Sequence, residues 1–362
     1  MSNEDIVKLI AFYLPQFHPI PENNEWWGQG FTEWTNVVKA RPLFKGHYQP
    51  HLPADLGFYD LRLTEVRQAQ ADLACEYGIH GFCYYHYWFK GRQLLERPFD
   101  EVLSSGKPDF PFCLCWANET WSRRWLGEES QILFKQEYSA EDDIKHVQWL
   151  LPALADPRSI RIDDRPLFLI YRPKDLPNPE ATTDIFRAEC VKSGLPEPYL
   201  VGVNAHCRTE NCQSLGFDNT LDFRPQLGAF PSAFREGRNV RKLWRNLRQG
   251  IFSSGLNVYD YKEAISCMER GCNDFDMIPS VFVGWDNTAR RGGRAIVVRN
   301  DSPQGFERYL SDTIATAREI NSAGKIVFIN AWNEWAEGNH LEPDQKYGLA
   351  FLEAVKRAMN AT

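Results

Sequence analysis

From end to end the chain alternates short, apolar, β-rich runs with amphipathic segments whose apolar positions recur at helical spacing. The strand-like runs cover 7–14, 81–87, 112–117, 167–171, 199–204, 220–223, 278–285 and 326–332. Between them the pattern predicts helices near 64–77, 93–105, 140–155, 181–193, 260–271, 304–322 and 345–359, with a short, irregular fifth crossover. Strand and helix in alternation imply a parallel sheet, and eight such units imply an α/β fold of the (β/α)8 TIM-barrel type, a single domain over 1–362. With 362 residues, 43% of them hydrophobic, the chain has material for that core.

Two stretches exceed the minimal repeat: about 15–60, rich in Pro, Gly, Trp and His, and about 225–258, which carries several Arg. Each follows a predicted strand and should wall the C-terminal face, where barrel enzymes keep their chemistry. Polar and aromatic residues gather at those strand ends: His86 and Tyr87; Trp116, Asn118 and Glu119; Tyr171; Asn204; Arg224; Trp285 and Asp286. Each has a plainer reading. His86 also suits a hydrogen-bonded core histidine, and Asp222 with Arg224 also suits an ion pair holding the rim.

The last predicted strand runs into Asn330-Ala331-Trp332-Asn333-Glu334-Trp335-Ala336-Glu337-Gly338. If the chain turns helically there, Glu334 and Glu337 lie on one side with Cβ atoms roughly 5–6 Å apart. Glycosidic cleavage needs a protonated carboxyl for the leaving oxygen and a carboxylate facing the developing cation, and repulsion within a pair helps separate their pKa values. Trp335 and Trp332 offer flat faces for sugar C–H groups, and Asn333 can hydrogen-bond a hydroxyl. Neither role requires a metal or other cofactor. Glu119, on the same face, is a third carboxylate that suits the catalytic pair. A pair at this spacing also suits simple solvation of a turn.

Twelve Trp and fourteen Tyr point toward uncharged, ring-shaped ligands, and a formal charge of -7 argues against a nucleic-acid partner. The nine Cys are odd in number, and Cys113 and Cys115 share one strand face, which suits buried free thiols. A polar, acidic start without a basic n-region, and no window of membrane-spanning length, favour a cytoplasmic protein. Arg290-Arg291-Gly292-Gly293-Arg294 follows the seventh strand, where barrel phosphate sites often form, so Arg290, Arg291 and Arg294 are candidates for an acidic or phosphorylated sugar. A solvated loop is the other reading of that stretch.

The closing run with Glu342-Pro343, together with Ala11-Phe12-Tyr13-Leu14-Pro15-Gln16-Phe17-His18, Gly30-Phe31-Thr32-Glu33-Trp34, Tyr85-His86-Tyr87-Trp88-Phe89, Cys115-Trp116-Ala117-Asn118-Glu119 and Gly284-Trp285-Asp286-Asn287-Thr288, resembles glycoside hydrolase family 99. It resembles still more the WbsX group of bacterial proteins, which have a family-99-like domain and accompany O-antigen and other surface-polysaccharide genes. The resemblance spans nearly the whole chain, and its opening motifs add Tyr13 and Trp34 to the candidate substrate contacts. It implies Glu334 as a base on the sugar 2-hydroxyl and Glu337 as acid and base at the glycosidic oxygen, in a retaining route through a 1,2-anhydro sugar. Ala336 stands where the hydrolases usually carry His, so the sugar does not carry over.

The leading expectation is therefore a glycosidase or transglycosidase acting on an α-linked surface polysaccharide or its precursor. A glycosyltransferase using a nucleotide sugar is the alternative, as the name often given to the WbsX group suggests; the sequence offers it little, since the isolated Asp274-Phe275-Asp276 motif precedes the seventh strand and should lie at the wrong end of the barrel. A non-catalytic polysaccharide-binding protein on the same barrel is a third reading.

Overall fold

The computed structural model describes residues 7–123, 128–205, 211–230, 255–269, 275–319 and 325–361. The barrel strands are β1 (Lys8–Tyr13), β2 (Gly81–Phe89), β3 (Phe112–Trp116), β4 (Arg165–Ile170), β5 (Tyr199–Asn204), β6 (Asn219–Asp222), β7 (Ser280–Phe282) and β8 (Ile326–Asn330). They follow one another round the sheet in chain order, every neighbouring pair parallel, with β1 hydrogen-bonded to both β2 and β8. Between β6 and β7 the ring closes through a parallel bridge, Leu221 to Ile278, with the Ile278 N–H donating to the Thr220 carbonyl at 2.8 Å. The fold is thus an eight-stranded α/β barrel, as the alternation implies.

Helices α1 (Pro21–Trp27) and α2 (Glu33–Lys39) occupy the long stretch after β1, where the periodicity predicts no element. The outer helices are α3 (Thr64–Glu76), α4 (Arg97–Ser105), α5 (Ala140–Ala155), α6 (Pro179–Lys192), α7 (Tyr261–Glu269), α9 (Pro303–Glu319) and α10 (Ala350–Ala361); a one-turn α8 (Thr288–Arg291) follows β7. In the fifth crossover the described residues include a 3-10 turn, Cys212–Leu215. Most of the second long stretch, 231–254, lies outside the described residues.

Strand residues alternate between two cores, because successive side chains leave opposite faces of the sheet. Ile10, Phe12, Cys83, Cys113, Cys115, Leu169, Val201 and Phe328 fill the barrel. Leu9, Ala11, Tyr13, Phe82, Tyr84, Leu114 and Trp116 face the helices. Cys83, Cys113 and Cys115 are free thiols buried inside the barrel. The alternation continues to the strand tops and decides which residues reach the cleft.

Candidate active site

The chain after β8 forms a miniature hairpin rather than the helical turn expected from the glutamate spacing. Asn333 pairs with His340 and Glu334 with Asn339, and a 3-10 turn, Trp335–Glu337, lies between. The carboxylates still share one side, since both accept from the Arg290 guanidinium. Gly338 closes the turn at φ +56°, where a Cβ would meet the Asp286 Cβ at 2.9 Å. Both the left-handed backbone and the close approach call for glycine.

Side chains of the motif itself hold the hairpin. Asn333 Oδ1 accepts from the Leu14 N–H at 2.7 Å, and its Nδ2 donates to the Leu14 carbonyl at 3.1 Å. Asn339 Oδ1 accepts from the Val283 N–H at 3.1 Å, which ties the hairpin to the end of β7. Trp335 Nε1 donates to Glu342 at 2.6 Å while its ring lies on His340, centroids 3.8 Å apart. Glu342 also accepts from the Tyr59 hydroxyl and Gln70 Nε2. Burial pushes the Glu342 carboxyl up to about 7, with these donors working the other way. Asn333 and Trp335 are thus frame, not sugar contacts; both side chains are spent within the protein.

Above this frame one guanidinium binds three carboxylates. Arg290, on α8, donates from Nε to Glu33 Oε1 at 2.7 Å, from Nη1 to Glu337 Oε1 at 2.6 Å and from Nη2 to Glu334 Oε2 at 3.0 Å. Its side chain is 8% exposed, against 0% for Glu33, 9% for Glu334 and 21% for Glu337. Burial raises the Glu334 pKa, to about 8; Arg290 opposes that rise, and the charges of Glu337 and Glu33 add to it. The Glu337 pKa is raised too, again by burial first and against Arg290. Because the pair shares a guanidinium, the two carboxyls titrate together rather than as independent groups.

This geometry corrects the anion-site expectation for Arg290, whose guanidinium is occupied by carboxylates. Arg291 and Arg294 sit on the exposed part of the same turn. Glu33, at the start of α2, is absent from the sequence candidates although it lies within the Gly30–Trp34 motif; a carboxylate in an aromatic-rich insertion after the first strand is the signal that could have found it.

Tyr85, Tyr87 and Tyr171 line the same face. Burial raises all three phenols well above the usual tyrosine value. The negative charge of Glu334 is felt at Tyr85 and Tyr87, and that of Glu119 and Glu337 at Tyr171. Tyr85 is an addition to the sequence candidates. Glu119 accepts from Arg172 Nη1 at 3.1 Å. Asn118 holds that arginine's backbone, accepting from its N–H at 2.7 Å and donating to its carbonyl at 2.9 Å, so Asn118 positions rather than contacts.

Strand parity turns other candidates away from the cleft. Tyr13 donates to Gln70 Oε1 at 2.7 Å behind the sheet, and Trp116 Nε1 donates to the Trp88 carbonyl at 3.2 Å. His86 faces α5, its Nε2 2.8 Å from His146 Nε2 and its ring stacked on Trp149; burial lowers its pKa to about 3. It is the core histidine of the plainer reading. Trp34 donates from Nε1 to the Tyr59 carbonyl at 2.8 Å and packs against Trp335.

Arg224 turns to α9, donating to Asp222 at 3.0 Å and to the Tyr309 hydroxyl at 3.0 Å, which makes it the rim ion pair. Asn204 is buried at the end of β5, where its carbonyl accepts from the Gln226 side chain. Trp285 and Asp286 are buried beyond β7; Asp286 pairs with His47 Nε2 at 2.6 Å and accepts from the Thr288 hydroxyl at 2.6 Å. Of the Asp-x-Asp motif, Asp274 lies outside the described residues, and Asp276 stands ahead of β7, at the end of the barrel away from Glu334.

Comparison with known proteins gives concordant findings. The sequence profile of the family described as Glycosyltransferase WbsX matches residues 9–355. An uncharacterized protein, WxcX of Xanthomonas campestris pv. campestris (strain B100), is 44% identical over 353 residues, which cover 97% of this chain and 49% of that protein. WxcX of strain ATCC 33913 matches to the same extent. The chain thus spans about half the length of the curated relatives it matches. Among solved structures, a glycoside hydrolase-like protein superposes with a TM-score of 0.59 at 14% identity, covering 99% of this chain and 95% of that one. The GH99 endo-alpha-mannosidase from Bacteroides thetaiotaomicron superposes with a TM-score of 0.55 at 14% identity, covering 100% of this chain and 98% of that one. At such identities the likeness is one of fold.

Proposed function

We propose, from the premise that this chain belongs to the Glycosyltransferase WbsX family, that it is a carbohydrate-active enzyme working on an α-linked surface polysaccharide or its precursor. Glu337 serves as acid and base at the glycosidic oxygen, and Glu334 as base at the neighbouring hydroxyl. The observation that carries this reading is Arg290 bound to Glu33, Glu334 and Glu337 at the top of the barrel. Three carboxylates against one cation, two of them with raised pKa values, retain a proton near neutrality. The site then holds an acid and a base together, which glycoside chemistry needs.

The sugar 2-hydroxyl hydrogen-bonds to Glu334, which favours that residue's anion and leaves the shared proton on Glu337. Glu334 takes the hydroxyl proton as O2 attacks C1, and the C1–O glycosidic bond breaks as Glu337 protonates the leaving oxygen. Glu337 then deprotonates water or an acceptor hydroxyl, which attacks C1 and opens the 1,2-anhydro ring as O2 recovers its proton from Glu334. The greater exposure of Glu337 suits its contact with leaving group and water. Tyr85, Tyr87 and Tyr171 supply ring faces and hydroxyls around the sugar.

The family's description favours a second reading, transfer from a nucleotide sugar. The two are separated by incubating wild type, Glu334→Gln and Glu337→Gln with purified surface polysaccharide and analysing products by mass spectrometry. In parallel, nucleotide sugars are titrated with and without Mn²⁺. Saccharide products from wild type alone support the carboxylate pair; full activity in both variants, or nucleotide-sugar binding without polysaccharide cleavage, overturns it. Among the described residues no helix is long and apolar enough to cross a membrane.

A further inference from the structure

We infer that His51, His340 and Asp344 bind one divalent transition-metal cation of the zinc class, directly behind the Glu334–Glu337 turn. One potential ligand atom from each lies within 4.8 Å of the other two, and all three residues are buried. They come together from the loop after β1, from the hairpin strand that carries Asn339 and His340, and from the segment leading to α10. No spacing in the sequence announces them.

The tautomers suit a cation. His340 Nδ1 lies 2.9 Å from the Glu342 carbonyl, a contact that only an N–H can make, so Nε2 carries the lone pair. An N–H given to a backbone carbonyl is the usual support for a metal-binding imidazole. That Nε2 faces His51 Nδ1 at 3.1 Å. In that contact His51 Nδ1 carries the proton given to His340 Nε2. Only the His51 proton has to move to Nε2 for both lone pairs to point at one ion. Asp344 is fixed beforehand: its Oδ1 accepts from the Lys346 and Tyr347 N–H groups at 3.0 and 2.6 Å. Two imidazoles and a carboxylate are the donors of zinc and of neighbouring first-row ions, not of Mg²⁺ or Ca²⁺.

The surroundings carry charge of both signs. Asp286 favours positive charge at His51, while Lys346 and His47 oppose it. The Lys346 ammonium is held over the rings of Tyr48 and Tyr347, 4.6 and 4.3 Å from their centroids. The imidazole of His51 also packs against Gly338, where a Cβ would stand 3.3 Å from its Cε1. A bound ion would therefore staple the first long insertion to the hairpin that presents Glu334 and Glu337, a positioning role independent of the sugar chemistry.

The test uses the full chain, purified without a metal-affinity tag, stripped by a chelator and titrated with Zn²⁺, Co²⁺ and Mg²⁺. The expected result is saturable binding of one Zn²⁺ per chain by elemental analysis. Zn²⁺ should also raise the thermal midpoint where Mg²⁺ does not, and Co²⁺ should give the visible absorption of nitrogen-ligated cobalt. His51→Gln and Asp344→Asn should each weaken Co²⁺ binding at least about tenfold. The inference fails if stripped wild type shows neither a saturable cobalt spectrum nor a zinc-dependent midpoint, as an ordinary His51–His340 hydrogen bond predicts. It fails equally if binding survives unchanged in Asp344→Asn, which retains the histidines and serves should His51→Gln not fold.

Discussion

Replacing Arg290 by Met removes the cation that Glu33, Glu334 and Glu337 share while keeping an unbranched apolar stem. Breaking a buried ion pair from one side typically costs about 3–5 kcal/mol, because the remaining charge is left without compensation. Here the carboxylates have an escape: they can take up protons. Arg290 now holds the Glu334 and Glu337 pKa values down against burial, so its loss should raise both further, each tenfold gain in proton affinity being worth about 1.4 kcal/mol. A carboxyl whose folded pKa lies above its unfolded value contributes stability that is full below the unfolded pKa, near 4.3, and lost as pH rises through the folded one. The penalty of Arg290→Met relative to wild type should therefore be small at pH 5 and reach about 3–5 kcal/mol at pH 8. Urea unfolding of both proteins, followed by tryptophan fluorescence at the two pH values, measures it. A penalty independent of pH, or larger at pH 5, would refute the reasoning and show that the three contacts do not dominate the charge of the site.

Four further outcomes are expected. Asn333→Ala deprives the Leu14 N–H and carbonyl of their buried partner and should cost about 2–4 kcal/mol in denaturant unfolding, the desolvation penalty of one or two orphaned groups. Gly338→Ala forces a side chain into a left-handed backbone against Asp286 and should cost roughly 2–4 kcal/mol, together with a loss of saccharide turnover measurable by product analysis as Glu337 is displaced. His86→Phe should lower stability by about 1–3 kcal/mol as His146 loses its partner yet leave kcat/KM within about twofold, whereas Tyr171→Phe, which keeps the ring and removes the hydroxyl, should reduce kcat/KM with little change in unfolding midpoint; the reverse pattern in steady-state kinetics would put His86 in the cleft after all.

The barrel was legible because strand and helix periodicities are local properties of the chain, as was the closing pair Glu334 and Glu337, three residues apart in a run of unusual composition. Facing was not. Both faces of a buried parallel strand are apolar, so β1, β2 and β3 show little alternation in the sequence, and Tyr13, His86 and Trp116 read as strand-top residues although parity points them into the helix layer. Asn333 and Trp335 misled for a related reason: a carboxamide and an indole beside two carboxylates suit a sugar, but their partners, Leu14 and Glu342, are visible only once the hairpin is folded. The charge centre was decided wholly by tertiary structure. Arg290 lies 257 positions from Glu33 and 44 and 47 from Glu334 and Glu337, and only closure of the barrel sets α2, α8 and the hairpin around one guanidinium. Local pattern specifies elements, whereas long-range closure decides which charges are gathered around one cation and hence how tightly their carboxyls hold a proton.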